Sequence, residues 1–299
     1  MVMLSATGLA LSPRMRAKPA FYDTASAPAY LITGLLTCIV GVVVLSGRFS
    51  LDASWATDLA GVWALSVAFA WLLRRTDFPR IAGFVEALAI FCGLAILAPL
   101  CAVVMASTNL PLADDALRRA DAYLFGFDRI VVASWLEPRS TASRSWGLIY
   151  NSLTLQPIVL LGALFLSRRS HRAWTLLTAW GAALFLSLTI FPLFPAFGTP
   201  PYVLDFVDVL KGARNGNLRL LGIGALTGII TFPSFHAAAA TMLGWGFLTF
   251  GRRAWPMVAL NVAMFASALV VGGHYLVDLP AGALVAVTSI MAARACARK

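Results

Sequence analysis

Long apolar runs separated by short polar clusters dominate this chain. Eight segments approach the roughly 20 apolar residues that a helix needs to cross a hydrocarbon core of about 30 Å: residues 30–47, 55–73, 81–107, 145–166, 173–194, 232–250, 255–272 and 274–293. The third carries Glu86 near its start and Pro99 inside it, which predicts tilt or a kink. Only Gly272-Gly273 separates the last two, which suits a sharp reversal; one helix over both would overshoot any bilayer. Between the third and fourth runs, Leu112, Ala116, Leu117, Ala120 and Leu124 recur at helical spacing and Gly126 suits a C-cap. An amphipathic helix lying at the membrane interface is expected within 108–144. Residues 195–231 are rich in turn formers and carry Asp205, Asp208, Lys211, Arg214 and Arg219, which predicts a loop capping whatever site lies beneath.

Composition agrees with the pattern. Hydrophobic residues make up 60% of the 299 positions and charged ones 12%, against about a quarter in a soluble domain. The expected fold is therefore all-α, a polytopic membrane helix bundle of about eight transmembrane helices. The basic cluster Arg14, Arg16, Lys18 follows the mildly apolar start instead of preceding it, so the first membrane helix is the expected targeting element. Cys38, Cys92, Cys101 and Cys296 lie in or beside apolar runs without CxxC spacing and read as small apolar core residues.

The net charge of +10 does not point to nucleic acid, because the basic residues are dispersed among inter-helix loops. With eight spans, fourteen of the 23 basic residues fall on the side of the chain ends, at Arg14, Arg16, Lys18, Arg74, Arg75, Arg80, Arg168, Arg169, Arg172, Arg252, Arg253, Arg294, Arg298 and Lys299. The other side holds nine, spread mainly over two long loops that carry most of the acids. The positive-inside rule makes the first side cytoplasmic, with residues 1–29 and the tail 294–299 inside the cell. Segment six then starts at the outer face with His236, and segment eight leaves the same face with His274 and Asp278.

Ionisable groups beside lipid-facing helices are costly and mark function. His274 and Asp278, spaced i, i+4, are expected to share a helix face, where the carboxylate fixes the imidazole tautomer and raises the basicity of its other nitrogen. That suits a nucleophile or general base. Pro233 is expected in the first turn of segment six, leaving the N–H groups of Ser234, Phe235 and His236 free to hold an anion such as phosphate. A second histidine facing a nucleophilic one can protonate the leaving oxygen in phosphoryl transfer. Lys211, Arg214 and Arg219 are the outer-loop candidates for charge stabilisation, with Arg139 and Arg144 as others. Tyr150, Asn151, Ser152 and Gln156 form a polar patch in segment four that either lines a cavity or bonds between helices.

Pro233-Ser234-Phe235-His236 resembles the second signature of the type-2 phosphatidic acid phosphatase (PAP2) superfamily, Pro-Ser-Gly-His, and Gly273-His274-Tyr275-Leu276-Val277-Asp278 resembles the third, which ends His-x-x-x-Asp. The His-Tyr-x-x-Asp form is most similar to the inositol phosphorylceramide synthase-like branch. The resemblance covers about 81–293 as a six-helix catalytic core, with 30–80 as two additional helices. It implies His274 as a nucleophile forming a phosphohistidine, Asp278 as its orienting partner and His236 as the acid for the leaving group. Ser234, Phe235 and Tyr275 of these motifs and Tyr150 of the segment-four patch are the other candidates to touch substrate, and the resemblance implies no metal or other cofactor. The partners implied are membrane lipids with phosphate headgroups, with ceramide, diacylglycerol or a polyol as acceptor, and the plasma (inner) membrane as location. The chain departs from the superfamily pattern twice: Ser267-Ala268 stands where Ser-Arg is usual, and Lys-x6-Arg-Pro has no match. Both losses put the phosphate-binding residues in question.

Four readings compete with lipid phosphotransfer. Hydrolysis of a lipid phosphate or pyrophosphate shares every step up to the phosphohistidine. A metal-dependent hydrolase would use His236, His274 and Asp278 as ligands but lacks an evident fourth. A transporter or scaffold would place its ionisable groups near the bilayer midplane instead of at helix ends; a rhomboid-like protease would need a Gly-x-Ser-Gly motif that is absent.

Overall fold

The computed structural model describes residues 24–76, 78–126, 141–199 and 206–297. Arg14, Arg16, Lys18, Arg129, Arg139, Arg298, Lys299, Asp205 and the turn residues Pro200, Pro201 and Tyr202 lie outside them. Helices α1 (Ala27–Leu45) and α3 (Pro79–Ala106) have proline in the first turn, where a missing N–H costs little. Helix α2 (Ala53–Arg75) starts on Asp52, which accepts from the Ser54 hydroxyl at 2.8 Å and the Trp55 N–H at 3.3 Å; these bonds hold its carboxyl below the usual range. Residue by residue, α3 is the longest at 28 residues, or about 42 Å. It runs unbroken through Pro99 and is longer than a hydrocarbon core of about 30 Å.

The remaining helices are α4 (Asp114–Phe125), α5 (Thr141–Asn151), α6 (Gln156–Leu166), α7 (Ser170–Ile190), α8 (Phe206–Arg214), α9 (Phe235–Phe247), α10 (Trp255–Val270) and α11 (Asp278–Cys296). Among the described residues six helical stretches are long and apolar enough to cross a membrane, or seven if α5 and α6 count as one bent span. The chain is an integral membrane protein built from helices. One of the six runs from Phe235 to Val270, but the backbone is non-helical at Gly251 (φ 65°, ψ −146°), and α9 and α10 pack against each other on either side of that turn. The only strand pairing described is a two-residue parallel bridge, β1 (Ser50–Leu51) with β2 (Leu220–Leu221), which ties the α1–α2 turn to the loop after α8.

Several expectations need correcting. Residues 145–166 are not one straight helix: a 3-10 turn at Ser152–Thr154 bends α5 from α6 by 45°. Pro157 is the cause, since it lacks an N–H and clashes with the carbonyl four residues back. The segment 195–231 is more than a loop, because α8 buries Phe206, Leu210 and Ala213 at i, i+4 and i+7. Of the cysteines only Cys101 is buried; Cys38, Cys92 and Cys296 face outward, and all four thiols are free.

Lipid removes the hydrophobic drive for helix pairing, so contact depends on small residues that let backbones approach. Gly181 of α7 faces Ile32 and Leu94, Gly246 of α9 faces Leu160, and Gly83 of α3 faces Phe165. Central α7 is the most covered helix, and α2 the least. Glu86, buried in α3, accepts from Tyr30 at 2.9 Å and Ser26 at 3.3 Å and pairs with Arg74. A buried charge with a full set of partners is tolerable, and this one fastens α1 and α2 to α3. At the α9–α10 turn, Arg169 donates to the Thr249 carbonyl and Arg172 lies 4.0 Å over the Trp245 ring.

Candidate active site

The starts of α9 and α11 lie side by side, and this contact assembles the site. Ser234 caps α9 by accepting from the Ala237 N–H at 3.3 Å. Its own N–H donates to the Asp278 carbonyl at 3.1 Å, so it is not free for an anion as expected. Pro233 precedes the cap instead of standing in the first turn, because the helix begins at Phe235. Only the Phe235 and His236 amides open the helix in the way an anion site needs.

The connection from α10 to α11 spans 271–277, longer than the two glycines alone. His274 lies in that connection and Asp278 is the first residue of α11, so the pair does not share a helix face. A turn brings them together. Asp278 reaches back to accept from the Tyr275 N–H at 2.9 Å, as the returning arm of a capping box does, and its Oδ2 lies 3.2 Å from His274 Nδ1. The Thr231 carbonyl lies 2.9 Å from the same Nδ1. Two acceptors converging on Nδ1 assign it the proton, which leaves Nε2 with its lone pair. Asp278 is fully buried and its Oδ1 has no hydrogen-bond partner among the described residues.

His236 stacks on Tyr150, with ring centroids 3.8 Å apart and planes 16° from parallel. His236, His274, Tyr150 and Thr231 all line one cavity of about 520 Å³ that extends away from the chain reversal toward α3 and α7. Phe235 lines it too, while Ser234 is buried behind as the cap. Tyr275 is buried, and its hydroxyl donates to Asp114 at 3.0 Å. The three basic candidates lie elsewhere. Arg219 is exposed and donates from Nε to the Gly216 carbonyl, Lys211 sits 5.7 Å over the Phe197 ring, and Arg214 has a buried Nη1 without a partner among the described residues. None of them lines the cavity. No group of three or more His, Cys, Asp or Glu placed to hold a metal occurs among the described residues.

Helix α4 braces the chain after α7 and the turn that carries His274, and its inward face differs from the apolar stripe read off its sequence. Leu112, Ala116 and Leu124 are exposed; Ala113, Leu117 and Asp121 are buried, with Asp114 half-buried beside them. The carboxylates turn inward because backbone N–H groups wait there. Asp121 accepts from Leu276 and Val277 at 2.7 and 2.8 Å, in the turn that carries His274. Asp114 accepts from Phe197 and Gly198 at 3.1 and 2.9 Å, in the chain after α7. That chain in turn meets the histidine turn, where Thr199 donates to the Gly273 carbonyl at 2.8 Å. At Gly198 (φ 76°) a side chain would overlap that same carbonyl, so glycine is required on both counts. Sequence reasoning missed Asp114, Asp121 and Thr231. The signal available for the first two was a pair of acids seven residues apart with Leu117 between them, one face of a helix; nothing in sequence marks a carbonyl such as that of Thr231.

A family model described as the PAP2 superfamily matches residues 115–292, more than half of the chain. No curated protein and no solved structure matches it. The matched stretch begins in α4 and leaves out α1, α2 and α3, although α3 supplies part of the cavity wall.

Proposed function

The chain belongs to the PAP2 superfamily, and on that premise we propose that it is an integral-membrane phosphotransferase moving a phosphate-bearing headgroup between lipids, in the manner of the inositol phosphorylceramide synthase-like branch. The observation that carries this reading is the convergence of two acceptors on His274 Nδ1 in a residue that lines a cavity shared with His236. Nε2 is then the nucleophile: its lone pair forms a bond to phosphorus as the bond to the donor lipid oxygen breaks. His236, held protonated by the negative charge of the bound phosphate, gives its proton to that leaving oxygen. In the second half, the hydroxyl of ceramide, diacylglycerol or a polyol attacks phosphorus, His236 takes its proton, and the N–P bond breaks to free His274. Water as the acceptor converts the same machinery into a lipid phosphatase. Asp278 holds the tautomer and stabilises the imidazolium character that develops.

The loop charges support a topology with both termini in the cytoplasm and the site at the extracytoplasmic face, in the plasma (inner) membrane. The domain division we favour keeps 81–293 as the catalytic unit and 30–80 as an added helix pair. The test is product analysis. Purified protein is given labelled phosphatidylinositol, other phospholipids or phosphomonoester lipids, with and without ceramide or diacylglycerol, alongside His274→Ala. Label appearing on the acceptor lipid supports transfer, whereas inorganic phosphate released regardless of acceptor supports the phosphatase. Turnover of no donor, or equal turnover by wild type and the well-folded His274→Ala variant, refutes phosphohistidine chemistry.

A further inference from the structure

The half of the cavity that points away from the histidines is apolar. Phe91, Ala95, Ala98 and Ala102 line it from one face of α3, at i, i+4, i+7 and i+11, and Trp180 and Leu184 of α7 close it on another side. Along α3 it spans about 16 Å, about half of the roughly 30 Å hydrocarbon core and so close to one leaflet. Small side chains on α3 are what keep this volume open, since a larger residue at 95, 98 or 102 would project into it. Among the described residues no Lys, Arg, Asp or Glu lines the cavity. The wall is also open on one side: Ala95 of α3 and Asn151 and Thr154 at the α5–α6 break are all exposed. Non-helical backbone at membrane depth is tolerated where it lines a cavity, and the break at 152–154 meets that condition.

We propose that this apolar arm is the bed of one hydrocarbon chain of the substrate, entered sideways between α3 and the α5–α6 break, and that Ala98 limits the chain it accepts. The proposal rests on the phosphate-lipid reading above and adds to it a specificity device in a helix outside the family match. A lipid in the outer leaflet would slide its chain past Ala95 while its headgroup reaches the histidines, so neither part has to leave its own solvent.

Two variants and one labelling experiment test it. Ala98→Phe fills the arm, and Ala95→Phe narrows the exposed mouth, where added bulk disturbs no packing. Both are assayed on donors with one headgroup and either long or short, micelle-forming chains. Ala98→Phe is expected to lower kcat/KM for the long-chain donor about a hundredfold, since single methylenes in apolar pockets already count for tenfold or more. The short-chain donor should stay within about twofold, and Ala95→Phe should show the same selectivity to a smaller degree. Loss on both donors alike, or on neither, overturns the chain bed. Independently, a phospholipid with a photoreactive group at the chain end should label wild-type protein between residues 91 and 102. Labelling confined to α1 and α2 overturns the proposal even if the enzyme turns over. Failure of the wild type to process any donor would instead strike the phosphotransfer reading, with the labelling result still deciding whether a chain occupies the arm.

Discussion

Replacing Gly282 with alanine tests the contact on which the whole site depends. Gly282 lies one helical turn beyond Asp278 on α11, and a Cβ built there overlaps the Ser234 carbonyl at the start of α9 and approaches the Ala237 Cβ at 3.2 Å. Neither obstacle is the end of a flexible side chain; one is backbone. A carbon normally stays about 3.3 Å or more from a carbonyl oxygen, so the two helix starts must part by about 1 Å to admit the methyl group. The same movement stretches the bond from the Ser234 N–H to the Asp278 carbonyl, now 3.1 Å, and carries His236 away from the His274–Asp278 pair. Overpacking of this kind costs about 1–3 kcal/mol of stability. Misplacement of reacting groups by about 1 Å costs on the order of a hundredfold in rate. The assay is headgroup release or transfer at saturating donor, beside thermal unfolding in detergent. Gly34→Ala on α1, where nothing lies within 4 Å, is the control and should leave both readings at the wild-type level or slightly improve stability. A Gly282→Ala protein with kcat within twofold of wild type would refute the claim that helix spacing here governs catalysis.

Three further outcomes are expected. Asp278→Asn should lower kcat by about 10²- to 10⁴-fold with little change in KM, because the amide holds the wrong tautomer of His274 without emptying the cavity; a matching rise in KM would assign Asp278 to substrate binding instead. Asp121→Ala removes the acceptor of two part-buried N–H groups in the histidine turn and should cost about 1–3 kcal/mol, read as a drop in Tm in detergent. An unchanged Tm would mean that α4 does not brace that turn. Tyr150→Phe should preserve the stack on His236 and hold activity within about twofold, whereas Tyr150→Ala forfeits about 0.5–1.5 kcal/mol of ring contact and should lower kcat by up to tenfold. Equal activity in the two variants would show that the stack does not position His236.

Much of this molecule was legible in its residues taken in order. Apolar run length marks a membrane protein made of helices because lipid leaves backbone groups no other partner, and that requirement is local. The collars around His236 and His274 singled out two residues that the fold brings to one cavity, since an imidazole at the end of an apolar run stands out against its surroundings. The α4 helix and its Gly126 cap were readable for the same reason, and the cap adopts the left-handed conformation expected of it (φ 58°).

What sequence could not decide was which groups each polar atom would meet. Asp114 and Asp121 look like the solvent side of an amphipathic helix, yet they turn inward because N–H groups from residues 197–198 and 276–277 need acceptors, and those lie more than 80 and 150 positions away. His274 and Asp278 pair through a turn instead of a helix face, since the helix starts only at Asp278 and Thr231, 43 residues back, supplies the second acceptor. The cavity exists because α3, the bend at Pro157 and the start of α9 leave a gap between them, and a gap has no residue to announce it. Local sequence determines what a segment becomes; long-range hydrogen bonding and backbone contact determine which side of it faces the site.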